Sequence, residues 1–339
     1  MAHELSIRKN GMAEMAYVGK KPWHGLGQEL KLGASIEEWA VAAGMDWKIL
    51  RSKVRYAVTR DADAKASYET FDDSHVLFRS DTKAPLSVVS DGFKIVQPRD
   101  TLEFFRDLAE GSGFHINTAG VLRGGRKFWA QAEAGQELAD AIIGNDIVRG
   151  KILIATSCDG SMNTIVKSVN EAVVCANTLS MALGERGKEI RVSHRSHFKA
   201  SDVKLEFGLV AAKFRDFIAD ARDLARFKVS PAQVDEFILK VVADVDFGKE
   251  KTAALLESAT KARQSAGYQK VLSLFGGAGR GATAPGRKGT AWGLVNAVTE
   301  YVDHHRRSHS VDTRIDSAWF GGGDDMKSEA LEEALVYVR

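Results

Sequence analysis

The chain has 339 residues, 44% hydrophobic and 27% charged, an ordinary globular balance with room for more than one average domain. Its 47 Lys and Arg against 45 Asp and Glu give a net charge of +2, so bulk charge does not point to nucleic acid and only local clustering would. Two cysteines, Cys158 and Cys175, exclude a disulfide framework, and no apolar run resembles a signal peptide or a membrane span; a cytoplasmic protein with reduced thiols is expected.

Residues 1–33 contain several glycines and the cluster Pro22-Trp23-His24-Gly25-Leu26-Gly27, and they read as irregular chain with a turn. Ser35 and Glu38 have capping-box spacing and open a helix that Gly44 ends. Residues 47–89 are strand-like, with partial alternation over 49–58 and a further short strand at 75–79. Strands at 86–90 and 93–96 flank Asp91-Gly92, a hairpin-turn dipeptide. Asp100 and Glu103 predict a helix to about Ala109. Residues 114–175 read mostly as strand: 116–122 and 126–132 joined at Gly124-Gly125, then 147–157 and 164–174 around Asp159-Gly160. A helix is expected at 177–183, followed by a basic segment over 186–204.

The remainder reads as helical. Phe207, Val210, Phe214, Phe217, Ile218 and Ala221 recur at helical spacing, and Ser230-Pro231 with Gln233 starts another helix. Residues 276–289, GGAGRGATAPGRKG, predict a mobile Gly/basic loop; helices follow at about 291–301 and within 317–339. The organisation is thus an N-terminal irregular segment and short helix (1–46), a β-rich core with inserted helices (47–205) and a mainly helical region (206–339). Strands do not alternate regularly with helices, so the expected class is α+β with an antiparallel β-rich core.

Catalytic motifs are not found. A phosphate-binding loop needs Lys after its last glycine, whereas Gly286 is followed by Arg287, and the residues before the loop end a helix. His194 and His197 are three apart, and His305 and His309 four apart, but neither pair brings a third ligand or a hydrolytic Glu. The chain is therefore expected to hold no cofactor or metal and not to be an enzyme. Basic clustering is the better signal. Arg191, Arg195 and Lys199 lie in the 186–204 segment; Arg123, Arg126 and Lys127 surround the Gly124-Gly125 turn beside Trp129; Lys94 follows Phe93; Lys167 sits between Ile165 and Val169 on one strand face. Cations that neutralise phosphates, with aromatic rings on which bases stack, are what single-stranded nucleic acid requires. The candidate interface is thus Lys94, Arg123, Arg126, Lys127, Lys167, Arg191, Arg195 and Lys199 for phosphate, with Phe93 and Trp129 for bases.

Four stretches together carry a family likeness: Pro22-Trp23-His24-Gly25-Leu26-Gly27, VSDGFKIVQP at 89–98, VCANTL at 174–179, and Gly289-Thr290-Ala291-Trp292-Gly293 with NAVTEYVDH at 296–304. On these the chain resembles, over nearly its whole length, the phage/plasmid-like family whose shared domain is of unknown function. That resemblance implies a mobile-element setting and supplies no catalytic residues. The order hairpin, helix, antiparallel strands, helix is also similar to single-strand annealing proteins of the Redβ/RecT type, which form rings or filaments and hold single-stranded DNA in a basic groove without ATP. This implies ATP-independent DNA binding and annealing by a homo-oligomer, alongside host or mobile-element replication proteins. Two other readings are a regulator that binds a host protein, and a metal-dependent nucleic-acid enzyme built on His194, His197 or the 304–309 histidines. Trp23, His24, Trp292, Trp319 and Phe320 are expected to pack rather than to bind.

Overall fold

The computed structural model describes residues 6–8, 10–19, 26–59, 67–112, 114–133, 139–172, 177–181, 190–196, 208–245, 252–307 and 317–339. Cys175, Trp23, His24, His197, His309 and Lys199 lie outside the described residues.

Among the described residues the strands form two sheets. The larger has nine: β1 (Met15–Val18), β2 (Gln28–Leu30), β6 (His115–Leu122), β7 (Lys127–Glu133), β8 (Ala139–Ala141), β9 (Ile147–Ser157), β10 (Thr164–Ala172), β11 (Asn177–Met181) and β12 (Ile190–Val192). Its order is β11-β10-β9-β7-β6-β1-β2, with β8 beside β9 and β12 beside β10. Every pairing in it is antiparallel except β1 with β2. The smaller sheet is β3 (Ile49–Val58), β4 (Ser67–Arg79) and β5 (Pro85–Ser90), antiparallel in chain order. The helices are α1 (Ile36–Ala42), α2 (Pro98–Ser112), α3 (Gly208–Arg226), α4 (Pro231–Ala243), α5 (Ala253–Arg263), α6 (Ala266–Ser273), α7 (Ala291–Glu300) and α8 (Gly322–Leu335). The class is therefore α+β, with antiparallel sheets and helices concentrated in the C-terminal half, as expected.

Local signals explain many of these elements. Ser35 and Glu38 close a full capping box on α1, and Ser230 and Gln233 do so on α4, with Pro231 at its first position. Asp100 accepts the Gln97 backbone N–H at 2.8 Å, so α2 begins at Pro98, two residues before the expected cap. Leu102, Phe104 and Phe105 of α2 pack on Ala119, Val121, Phe128, Ala130, Ile152 and Ile154 from one face of the large sheet. In the C-terminal half, Phe214, Phe217 and Ile218 of α3 and Phe237 and Ile238 of α4 enclose α7, all ten residues of which are buried. Trp319 meets Trp129 edge to face at 4.9 Å and Trp292 meets Phe217 at 6.0 Å, the packing roles expected of Trp319 and Trp292.

Four expectations need correction. The N-terminal segment contributes β1 and β2 to the large sheet, because β1 takes its hydrogen bonds from β6, about a hundred residues away, and short strands of this kind leave no local period. Residues 93–96 form no strand: neither Asp91 nor Gly92 adopts the positive φ of a tight hairpin turn, and the chain runs on to α2. Residues 177–181 are strand β11 rather than helix; Asn-Thr-Leu-Ser-Met alternates in polarity and pairs with β10. The 276–289 loop is built in turns onto the body, held by the buried Arg287.

Candidate nucleic-acid interface

Four segments distant in sequence meet at one end of the large sheet. The first is the turn between β6 and β7. Arg123, Gly124 and Gly125 have φ of +54°, +68° and +107°, an unbroken left-handed run that leaves Arg123 and Arg126 exposed at its two shoulders. Gly125 has a second constraint: a Cβ there would lie 3.0 Å from the Trp47 ring. The second segment is the β9–β10 turn. The Cys158 N–H donates to the Arg126 carbonyl at 2.8 Å, tying the two turns together. Asp159 accepts the Ser161 N–H at 3.0 Å, and Ser157 donates through Oγ to the Met162 carbonyl at 2.8 Å.

The third and fourth segments dock on this turn through His194. Its Nε2 lies 3.0 Å from the Met162 carbonyl oxygen and its Nδ1 3.3 Å from that of Lys94, while the Lys94 N–H donates to the His194 carbonyl at 2.6 Å. The Phe93 ring stacks on the imidazole at 4.5 Å and 20°. His194 is therefore a buried brace between loops, which places Phe93 and Lys94 half-buried beside it and Arg195 exposed one residue on.

Beneath the β6–β7 turn lies a charge cluster that sequence spacing does not reveal. Arg79 donates to both Glu14 oxygens at 2.7 and 3.0 Å and to both Asp81 oxygens at 2.8 and 3.0 Å, with its guanidinium 4.2 Å from the centre of the Trp47 ring. Burial pulls the Arg79 pKa down, but the hydrogen bonds of Asp81 and Glu14 outweigh it and hold the group above the usual arginine range. Glu14 and Arg79 are 65 residues apart, so the only sequence trace is an arginine ending a strand. The fixed charge makes a rigid floor for the turn.

Of the predicted site residues, the structure gathers Phe93, Lys94, Arg123, Arg126 and Arg195 at this end. Arg191 is exposed on β12 opposite Ile165. Three residues are corrected. Trp129 is 1% exposed and packs against Trp319, so it offers no face to a base. Lys167 is 1% exposed; its Nζ donates to Asp324 at 2.9 Å and to the Trp319 carbonyl. Lys127 is buried; burial raises the pKa of the nearby Asp159 carboxyl, but hydrogen bonds from Ser161 and Ser157 outweigh it and hold the group below the usual range, with the Lys127 charge a lesser contribution. The reason is common to all three. Their side chains belong to the face of the sheet that carries Leu153, Ile165 and Val169, which the segment at Trp319 and Phe320 covers. Burial pushes the Cys158 thiol up to about 12, so the cysteine beside the site is a poor nucleophile. Among the described residues no three His, Cys, Asp or Glu side chains group as a metal site, and no helix is long and apolar enough to cross a membrane.

The arrangement presents exposed guanidinium groups and a lysine around a half-buried ring, on a surface braced from below. It is suited to hold a phosphodiester chain and stack a base on Phe93. One family model, described as a domain of unknown function (DUF932), matches residues 85–319, from β5 through the segment that covers the large sheet. No curated protein and no solved structure matches the chain.

Proposed function

This chain belongs to the DUF932 family, and we propose that it binds single-stranded DNA at the end of its large sheet and promotes annealing without ATP, as a homo-oligomeric ring or filament, in recombination or replication of a mobile element. The observation that carries the reading is the convergence of Phe93-Lys94, Arg123, Arg126 and Arg195 from separate segments onto one sheet end. Backbone contacts by several cations supply sequence-independent affinity, and stacking favours single strands over duplex. Arg287, which follows the last glycine of the loop's phosphate-loop-like stretch, is buried against Asp146 and serves the core rather than the proposed interface.

The test is binding of a labelled oligonucleotide, single-stranded and duplex, across a salt series with sizing of the complex. Preference for the single strand, a steep salt slope and its weakening in Arg123→Ala and Arg126→Ala are expected. Equal affinity in those variants, or no binding at low salt, refutes the reading. A protein partner captured with no DNA affinity would instead favour a regulator.

A further inference from the structure

Strands β3 and β4 outrun their sheet. β5 pairs with β4 only between Ser74 and Phe78, whereas 67–71 pair with 54–58 alone. The outer part is a two-stranded ribbon exposed along almost its whole length. An isolated ribbon is marginal in water. This one also carries Tyr56, Tyr68 and Phe71 at 50%, 71% and 49% exposure. Directly paired residues share a face, so Phe71 and Tyr56 lie on one side, with Val54 and Glu69, and Tyr68 on the other, with Ala57. Aromatic groups on both sides show that neither face of the ribbon is laid on the body.

Both edges of the ribbon are open among the described residues. At the base of β3, the Ile49 N–H donates to Gln97 Oε1 at 2.8 Å and Gln97 Nε2 donates to the Ile49 carbonyl at 3.2 Å, so one side-chain amide imitates a strand for one rung. Beyond that rung no strand lies outside β3 among the described residues, and none lies outside β4 over 67–72, the Asp91 N–H donating to the Asp73 carbonyl at 3.3 Å just beyond. The two edges differ in sign. β3 carries Arg51, Lys53 and Arg55 and no acid; residues 67–73 carry Glu69, Asp72 and Asp73 and no base. Like charges opposed across a strand pair are destabilising and opposite charges stabilising. Two β3 edges therefore repel, as do two β4 edges, and only β3 of one copy against β4 of another is complementary. An intramolecular pair between them, Lys53 with Asp72 at 2.8 Å, has side chains 59% and 75% exposed and is easily exchanged. The balance of three cations and three anions also opposes a phosphate chain as occupant.

We infer that the β3–β4 ribbon is a self-assembly arm, the basic β3 edge of one copy adding to the acidic β4 edge of the next. Such a contact is heterologous, so it propagates into a ring or an open filament according to whether the rotation closes. The inference rests on the oligomeric part of the proposed function and not on its DNA-binding part.

The experiment is sedimentation velocity on the full chain and two charge-reversed variants, Arg51→Glu/Lys53→Glu/Arg55→Glu and Glu69→Lys/Asp72→Lys/Asp73→Lys. The wild type is expected to assemble and each variant alone to run as a monomer. A 1:1 mixture of the variants restores complementary edges and is expected to recover assembly. A monomeric wild type, a variant that assembles alone, or a mixture that stays monomeric overturns the inference. The milder Lys53→Ala and Asp72→Ala variants, which add no like charge, are expected to weaken assembly several-fold at unchanged thermal stability; unaltered assembly in both counts against the arm. Single-strand binding is measured on every sample. Rescue of assembly with no DNA binding sinks the proposed function alone, and loss of DNA binding without loss of assembly in the Arg51→Glu/Lys53→Glu/Arg55→Glu variant identifies the ribbon as a nucleic-acid contact and overturns the arm.

Discussion

Two Gly- and Arg-rich segments of this chain look alike and end in opposite environments. Arg123-Gly124-Gly125-Arg126 is a turn at the sheet end with both arginines exposed. Gly286-Arg287-Lys288-Gly289 places Arg287 at 1% exposure, where its Nε donates to Asp146 at 2.8 Å and a second nitrogen bonds the other carboxylate oxygen. Trp292 Nε1 shares the same carboxylate at 3.0 Å. A Cβ at Gly286 would lie 3.1 Å from Ile143, and one at Gly293, in the first turn of α7, 2.0 Å from the Arg287 carbonyl, so glycine at both places lets this loop press close against the core and the helix that follows. In the turn, Gly124 and Gly125 supply left-handed angles, as Gly289 does at φ +67° in the loop. Composition is common to both; the presence of a buried carboxylate partner decides which becomes core and which becomes surface.

The comparison breaks most sharply at Arg287. Arg287→Ala leaves Asp146 buried without its counter-charge, and removing one partner of a buried pair costs about 3–5 kcal/mol. Denaturant unfolding of Arg287→Ala is expected to show that loss, whereas a shift no larger than a surface substitution gives would mean the pair contributes little. On the turn side the sensitive position is the glycine. Gly125→Ala forces a side chain into φ +107° and against Trp47, and a cost of about 1–3 kcal/mol in the same assay is expected.

What was legible in the sequence follows from the range of the interaction. The capping boxes at Ser35 and Ser230 and the Gly124-Gly125 hairpin are decided within four residues, and all three form where expected. Lys167 illustrates the opposite limit. Its alternation with Ile165 and Val169 reads correctly as one strand face, but the covering partner, Asp324, is 157 residues away. A lysine on an apolar face is therefore read as a surface cation when it is half of a buried pair. Lys327 with Asp303 at 2.9 Å repeats this pattern. At the candidate site the basic residues were legible by composition, while the His194 brace and the Arg79 floor that position them were not, because each joins segments that sequence order keeps apart.

Between the two extremes lies a triad on the helical half, with Asp235 and Arg263 partly exposed and Tyr268 buried. Asp235 accepts from Arg263 Nε and a second guanidinium nitrogen at 2.8 and 2.7 Å and from the Tyr268 hydroxyl at 2.6 Å. The Arg263 hydrogen bond holds the Asp235 carboxyl below its usual range against a partial burial that raises it, with Tyr268 adding to the effect. Burial and the Asp235 hydrogen bond push the Tyr268 phenol up to about 12. A carboxylate with a depressed folded pKa contributes stability that is present above the unfolded value of about 3.9 and lost as pH falls through the folded one. Solvent screening limits this contribution to about 1 kcal/mol or less. Asp235→Asn is expected to flatten the acid limb of an unfolding-stability profile by that amount, and less at high salt. An unchanged acid limb removes the triad from the comparison.

Arg126 is the smallest case on stability and the most informative on function. Its side chain is exposed, and its backbone carbonyl, the atom that ties the two turns, is untouched by Arg126→Ala. Substitutions at such positions stay within about 0.5 kcal/mol of wild type. If the guanidinium contacts a phosphate of single-stranded DNA, the same change lowers the slope of log affinity against log salt by about 0.7. Arg287→Ala is expected to show the reverse: a large loss of stability and, at temperatures where it stays folded, an unchanged slope. Measuring both variants in both assays separates an arginine used for binding from one used for folding, which sequence composition alone does not distinguish.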